Sequence, residues 1–194
     1  MVRADARRNI AAILDAAVVC LTGNPDASLG DIAQAAGVGR VTLYGHFKSR
    51  AELLDAVLTR TMAEADAVLD AVDTAGEPAV ALTRLVEASW QIVHRFRSVY
   101  QAAGRELPPE RFHGSHDRVR RRIQTIIERG RRAGVFRTDV PAKWLTAAAV
   151  GLMHAAAEES AAGRLTDHDA AVFIPATVLA ALTAPGAPVP VVPR

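Results

Sequence analysis

Apolar residues recur three and four apart along most of the chain, and nowhere do they alternate over a run long enough for a strand. Ile10, Ile13, Leu14, Ala17, Val18 and Leu21 predict a first helix over residues 5–21, ended by Gly23-Asn24-Pro25. Ser28 with Asp31 three residues on forms a short-armed capping box ahead of Ile32 and Ala33, which starts a second helix. Gly37 can take the left-handed conformation that lets a third helix, residues 39–46, leave the second at a steep angle. Ser49 and Glu52 open a fourth helix to about residue 72, with Leu53, Leu54, Val57 and Leu58 inward. Further helices are expected over residues 78–96, 117–130, 142–162 and 167–182, the last kinked by Pro175, with a loop over 105–115. The fold class is therefore all-α.

The third helix is short and unusually composed. At about 100° per residue, Leu43 and Phe47 share an inward side, Val41, Tyr44 and Gly45 face outward, and Arg40, Thr42 and His46 lie on the flanks. Donors, a ring and one fixed-fork cation on an outward face suit a DNA groove better than plain solvation, which more often uses Glu and Lys. Lys48 and Arg50 stand at the positive end of the fourth helix, where a phosphate would be favoured.

Composition narrows the classes. Hydrophobic residues make up 50% of the chain but aromatics only 5%, which suits packed helices of Ala, Val and Leu more than sheets. The one cysteine, Cys20, falls on an apolar helical face, so a disulfide framework is excluded and a cytoplasmic location is expected. The most apolar stretch, residues 144–157, is too short to span a bilayer, and no apolar signal core follows Arg3, Arg7 and Arg8, which read equally as a basic arm on DNA or as a solvated, partly frayed terminus. A net charge of +2 does not by itself suggest nucleic acid, so attraction to phosphate must come from placement. Residues 111–137 hold nine arginines around an apolar stripe and are read as a solvated face.

The run GVGRVTLYGHFKSRAELLDAVL, residues 37–58, resembles the signature of the TetR family of one-component regulators, with Tyr44-Gly45-His46-Phe47 as its Tyr-x-His-Phe element and a long fourth helix after it. The likeness covers residues 10–58; beyond them it is architectural. Two positions depart from the pattern: Gly39 replaces a Ser or Thr cap, and Gly30 replaces a polar or basic residue that could touch DNA. The resemblance implies a three-helix DNA-binding domain over residues 1–50, a larger helical regulatory and dimerisation domain over 51–183, and a Pro-rich tail over 184–194, read as disordered. It also implies a homodimer formed through the last two helices, whose apolar surface exceeds what one subunit is expected to cover; burial within the monomer is the alternative.

The partners expected are double-stranded DNA, a small apolar or aromatic effector and a second copy of the chain. Arg40 and Thr42 are the candidate base readers with Val41 beside them, Tyr44, His46, Lys48 and Arg50 the phosphate anchors, and Ser28 a further contact. The effector pocket is expected among Trp90, His94, Tyr100, Phe112, His116, Trp144, Met153 and His154. His113 and His116 have no carboxylate or cysteine partner in sequence, so no metal site is expected, nor any cofactor. No Ser, His and Asp arrangement or acid pair has a motif around it, so the chain is not read as an enzyme. The functional expectation is a ligand-released repressor on a pseudo-palindromic operator. The alternative is a helical ligand- or partner-binding dimer whose helix-turn-helix no longer reads DNA.

Overall fold

The computed structural model describes residues 2–114 and 116–192, with the side chains of residues 2–4, 113 and 114 left outside the description. The basic-arm reading of Arg3, the His113 half of the His113/His116 pair and the end of the tail thus lie outside the described residues. Among the described residues the chain forms helices and no strand: α1 (Val2–Gly23), α2 (Leu29–Ala35), α3 (Arg40–His46), α4 (Arg50–Asp70), α5 (Pro78–Glu106), α6 (Pro109–Gly114), α7 (Asp117–Arg132), α8 (Ala142–Ala161) and α9 (Asp167–Leu182).

Two elements differ from expectation. Helix α5 runs ten residues past Phe96 to Glu106, because Val99, Ala102 and Ala103 continue its buried stripe. Gly104 does not end it: the Phe112 ring lies against that glycine, 3.5 Å from where a Cβ would stand. The expected loop over 105–115 contains α6, in which Pro109 takes the first helical position, where its missing N–H costs nothing.

The chain packs as two compact units, Met1–Glu64 with Phe96–Ser115, and Ala65–Arg95 with His116–Arg194. The boundary expected at residue 50 coincides with the start of α4, and residues up to 64 and from 96 to 115 belong with the helix-turn-helix. In the first unit Ile13, Ala17 and Leu21 of α1 close over Ile32 and Ala33 of α2, Leu43 and Phe47 of α3, Leu53, Leu54 and Val57 of α4, and Val99 and Ala102 of α5. Burying the Ile, Leu, Val and Phe side chains among them is worth roughly 1.5–3 kcal/mol each, which fixes the short α2 and α3 although neither would persist alone.

In the second unit α7 packs on α8 and α8 on α9. Ile123, Ile126 and Ile127, Leu145, Met153, and Ile174, Val178 and Leu182 are buried there, as are Leu82, Leu85 and Trp90 of α5. Gly130 of α7 is buried under Phe136, whose ring occupies the space a side chain would need. The arginines read as a solvated face are largely tethers: Arg118 and Arg122 reach Asp66 at 3.0 and 2.6 Å, Arg122 also bonds Asp70, and Arg129 donates to the Thr74 carbonyl at 2.7 Å. The Arg137 guanidinium on Asp139, 2.6 Å away, holds that carboxyl at about 2. Residues 184–192, expected to be disordered, take no helix or strand, and Val189, Pro190 and Val192 line a recess of about 820 Å³ with α5 and α9. No helix among the described residues is long and apolar enough to cross a membrane.

Candidate nucleic-acid interface

The interface is assembled by local signals at three helix ends. Ser28 caps α2: its hydroxyl accepts from the Asp31 N–H at 3.2 Å and donates to the Asp31 carboxylate at 2.7 Å, while that carboxylate accepts the Ser28 N–H at 2.9 Å. These hydrogen bonds from Ser28 hold the Asp31 carboxyl below its usual value, and Arg40 adds to the effect. Between α2 and α3, Gly37 takes φ +66°, with its N–H on the Gln34 carbonyl and the Val38 N–H on the Ala33 carbonyl. At the start of α4 the Ser49 hydroxyl accepts the Glu52 N–H at 3.1 Å, and the Glu52 carboxylate accepts the Lys48 N–H at 2.6 Å, one residue earlier than in the capping box expected there.

Helix α3 is thereby presented with Leu43 and Phe47 buried and the opposite side bare. Val41 is 88% exposed and Tyr44 48%; Arg40 is exposed, and Thr42 and His46 are half-buried on the flanks. Arg40 folds back over α2, so that a Cβ placed on Gly30 would stand 2.9 Å from its terminal nitrogen. The glycine that removed a possible DNA contact thus seats the guanidinium. Asp26, Ser28, Leu29, Gly30, Arg40, Tyr44 and Arg50 together line an open recess of about 470 Å³.

Two expected phosphate anchors are placed differently. The Arg50 guanidinium is not free for a phosphate: it donates to the carbonyls of Pro25 at 2.6 Å and of Ala27, and pairs with Glu106 at 2.6 Å. It ties the loop before α2 to the end of α5. Lys48 remains exposed, but its ammonium rests on the last carbonyls of α3, 3.2 Å from Tyr44 and 3.4 Å from Gly45, where it complements the helix dipole. The sequence carried no signal for Arg50's partners, which are 23 to 56 residues away.

The residues expected to form the effector pocket appear as pairs. In the first unit the Tyr100 and Phe112 rings meet edge to face at 6.2 Å, and the Tyr100 hydroxyl donates to Met62 Sδ at 3.1 Å. In the second unit buried Trp90 lies 5.9 Å from the His94 ring, whose Nδ1 is 3.2 Å from Asp167. His116 and His154 meet at 5.6 Å; burial pushes the His154 imidazole below its usual value, Arg120 adds to this and Glu158 opposes it. Met153 is buried, but Trp144 is 64% exposed, one position off the α8 stripe through Leu145, Ala149 and Met153. Among the described residues no group of three or more His, Cys, Asp or Glu could hold a metal.

Residues 13–57 match the segment described as bacterial regulatory proteins, tetR family. The HTH-type transcriptional repressor LfrR of Mycolicibacterium smegmatis is 33% identical over 155 residues, 78% of this chain and 79% of that protein. The HTH-type transcriptional regulator NfxB of Pseudomonas aeruginosa is 26% identical over 166 residues, 82% of this chain and 86% of its own length. The crystal structure of LfrR in complex with proflavine superposes with a TM-score of 0.69 at 28% identity, covering 92% of this chain and 98% of LfrR. A likeness at this identity over this much of both chains accompanies a helix-turn-helix built as described above, and the chain belongs to the TetR family of bacterial DNA-binding transcriptional regulators.

Proposed function

We propose that the protein is a cytoplasmic homodimeric repressor that binds a pseudo-palindromic operator and leaves it when a small aromatic or apolar molecule occupies its helical body. The observation that carries this reading is α3, bare on the side of Val41 and Tyr44 and buried on that of Leu43 and Phe47. Each subunit would lay α3 in a major groove, with Arg40, Val41 and Thr42 at base edges and Tyr44, His46, Lys48 and Ser28 toward phosphates. Two-fold symmetry of the protein then matches the inverted repeat.

The dimer contact is assigned to α8 and α9. Trp144, Gly151 and Ala155 on α8, and Phe173, Thr177 and Ala180 on α9, are exposed; the small ones let helices of two subunits approach closely, and Trp144 and Phe173 offer apolar surface to bury. The functional division runs between a reader over residues 1–50 and a body over 51–183. Helix α4 contributes to both compact units and is the natural carrier of an effector's influence. LfrR crystallised with proflavine supports a planar aromatic effector, and within the second unit Trp90, His94, His116 and His154 supply rings and polar tips for one, with Met153 beside them.

The test is selection of bound fragments from a random DNA pool by the full-length protein at physiological salt, followed by release of the selected fragment with proflavine as probe. An enriched inverted repeat, lost on adding proflavine, is expected. No enriched sequence would remove the operator reading, and a repeat retained at saturating proflavine would remove that class of effector.

A further inference from the structure

We propose that Val41 reads the C5-methyl group of a thymine in each operator half-site. This rests on the assignment of α3 to the major groove and names what the foremost residue of its face recognises there.

A lone exposed valine means little on a protein surface. Val41 differs because of what surrounds it. It is 88% exposed in the first turn of α3, at the centre of the outward face. Its polar neighbour Arg40 is drawn aside, with its guanidinium over Gly30 of α2. One turn further on, Gly45 has no side chain and nothing within 4 Å of where a Cβ would stand. Thr42 is half-buried on the flank. With Tyr44, 48% exposed one turn on, the two methyl groups of Val41 form the apolar front of this face, and the space at Gly45 leaves them open on that side.

In the major groove three of the four bases present only hydrogen-bonding groups at their edges, and thymine alone adds a methyl group. A branched aliphatic side chain pressed against any other base would desolvate a donor or acceptor without pairing it. Against thymine it buries methyl on methyl, and valine's stiff χ1 leaves little rotamer freedom to lose on docking.

The experiment takes the half-site enriched by the full-length protein and replaces each of its thymines in turn by deoxyuridine, which removes the methyl and nothing else. Binding is compared for the wild type and Val41→Ala, whose helix content and melting temperature should not fall, because the side chain is exposed and alanine is the better helix former. At one thymine per half-site, deoxyuridine should weaken the wild type about four- to tenfold, and leave Val41→Ala unaffected. The methyl effect should not change with salt, since no counterion is released. The proposal is overturned if every deoxyuridine site binds the wild type as thymine does, if the methyl effect survives in Val41→Ala, or if the half-site contains no thymine. Failure to enrich any sequence is a different result, which removes the groove assignment on which this rests.

Discussion

At the scale of single residues, the reader's geometry depends on a few side chains that hold backbone. Arg50 is the clearest case, with its guanidinium on two carbonyls and on Glu106. Arg50→Ala is expected to lower stability by about 2 kcal/mol, the cost of leaving those groups unpaired, and Arg50→Lys should not restore it because an ammonium lacks the fork. Denaturant titration checks this; an unchanged midpoint with a shallower salt dependence of DNA binding would return Arg50 to the phosphate-anchor role. Ser28→Ala removes the α2 cap and should cost about 1 kcal/mol. The Asp31 carboxyl lies below its usual 3.8 in the folded chain, held there by Ser28. A depressed carboxyl stabilises the fold above its unfolded value and loses that contribution as pH falls through its folded one. The stability difference between wild type and Asp31→Asn should therefore be constant near neutrality and shrink below pH 3.8. Gly30→Ala tests the Arg40 seat: a methyl group there favours the helix by roughly 0.5–1 kcal/mol while displacing a flexible side-chain end. Stability should hold or rise while the base preference beside Val41 changes, as read by repeating the DNA selection.

Helices and their junctions were legible where the signal is local. Ser28 with Asp31, Gly37 and Ser49 mark helix ends through contacts within four residues, so the helix-turn-helix could be placed from spacing alone. The length of α5 was not, since Phe112, eight residues beyond Gly104, is what makes that glycine tolerable in a helix. The short α6 was hidden because Pro108-Pro109 reads as a break, although proline is welcome in a first turn. The arginine-rich helix α7 looked solvated because its carboxylate partners Asp66 and Asp70 lie more than fifty residues upstream. The junction after α7 offers a test at this scale. Gly130→Ala improves helix propensity by about 1 kcal/mol, yet the new methyl overlaps the Phe136 ring, so a net loss of about 1–3 kcal/mol is expected in chemical denaturation. Gly130→Ala combined with Phe136→Ala should recover part of the overlap term and lose packing instead, so the two effects will not add.

For the whole molecule, the open matter is assembly. The exposed faces of α8 and α9 are rich in small residues, and a bulky charge placed there has no room if two copies meet. Ala155→Arg is exposed in the single chain and should leave its secondary structure intact, while sedimentation shifts to the monomer and operator affinity falls at least about a hundredfold, since one α3 then binds without its partner. A dimer that persists in Ala155→Arg would move the contact elsewhere. The seat that Gly30 provides for Arg40 also bears on how such regulators diverge. Val41 and Gly30 can both change without disturbing a buried side chain, so a duplicated copy could acquire a new target sequence before its core or its ligand response had altered at all. On the proposed reading, target preference shifts at exposed positions of α3 and its seat while the buried set of the first unit stands still.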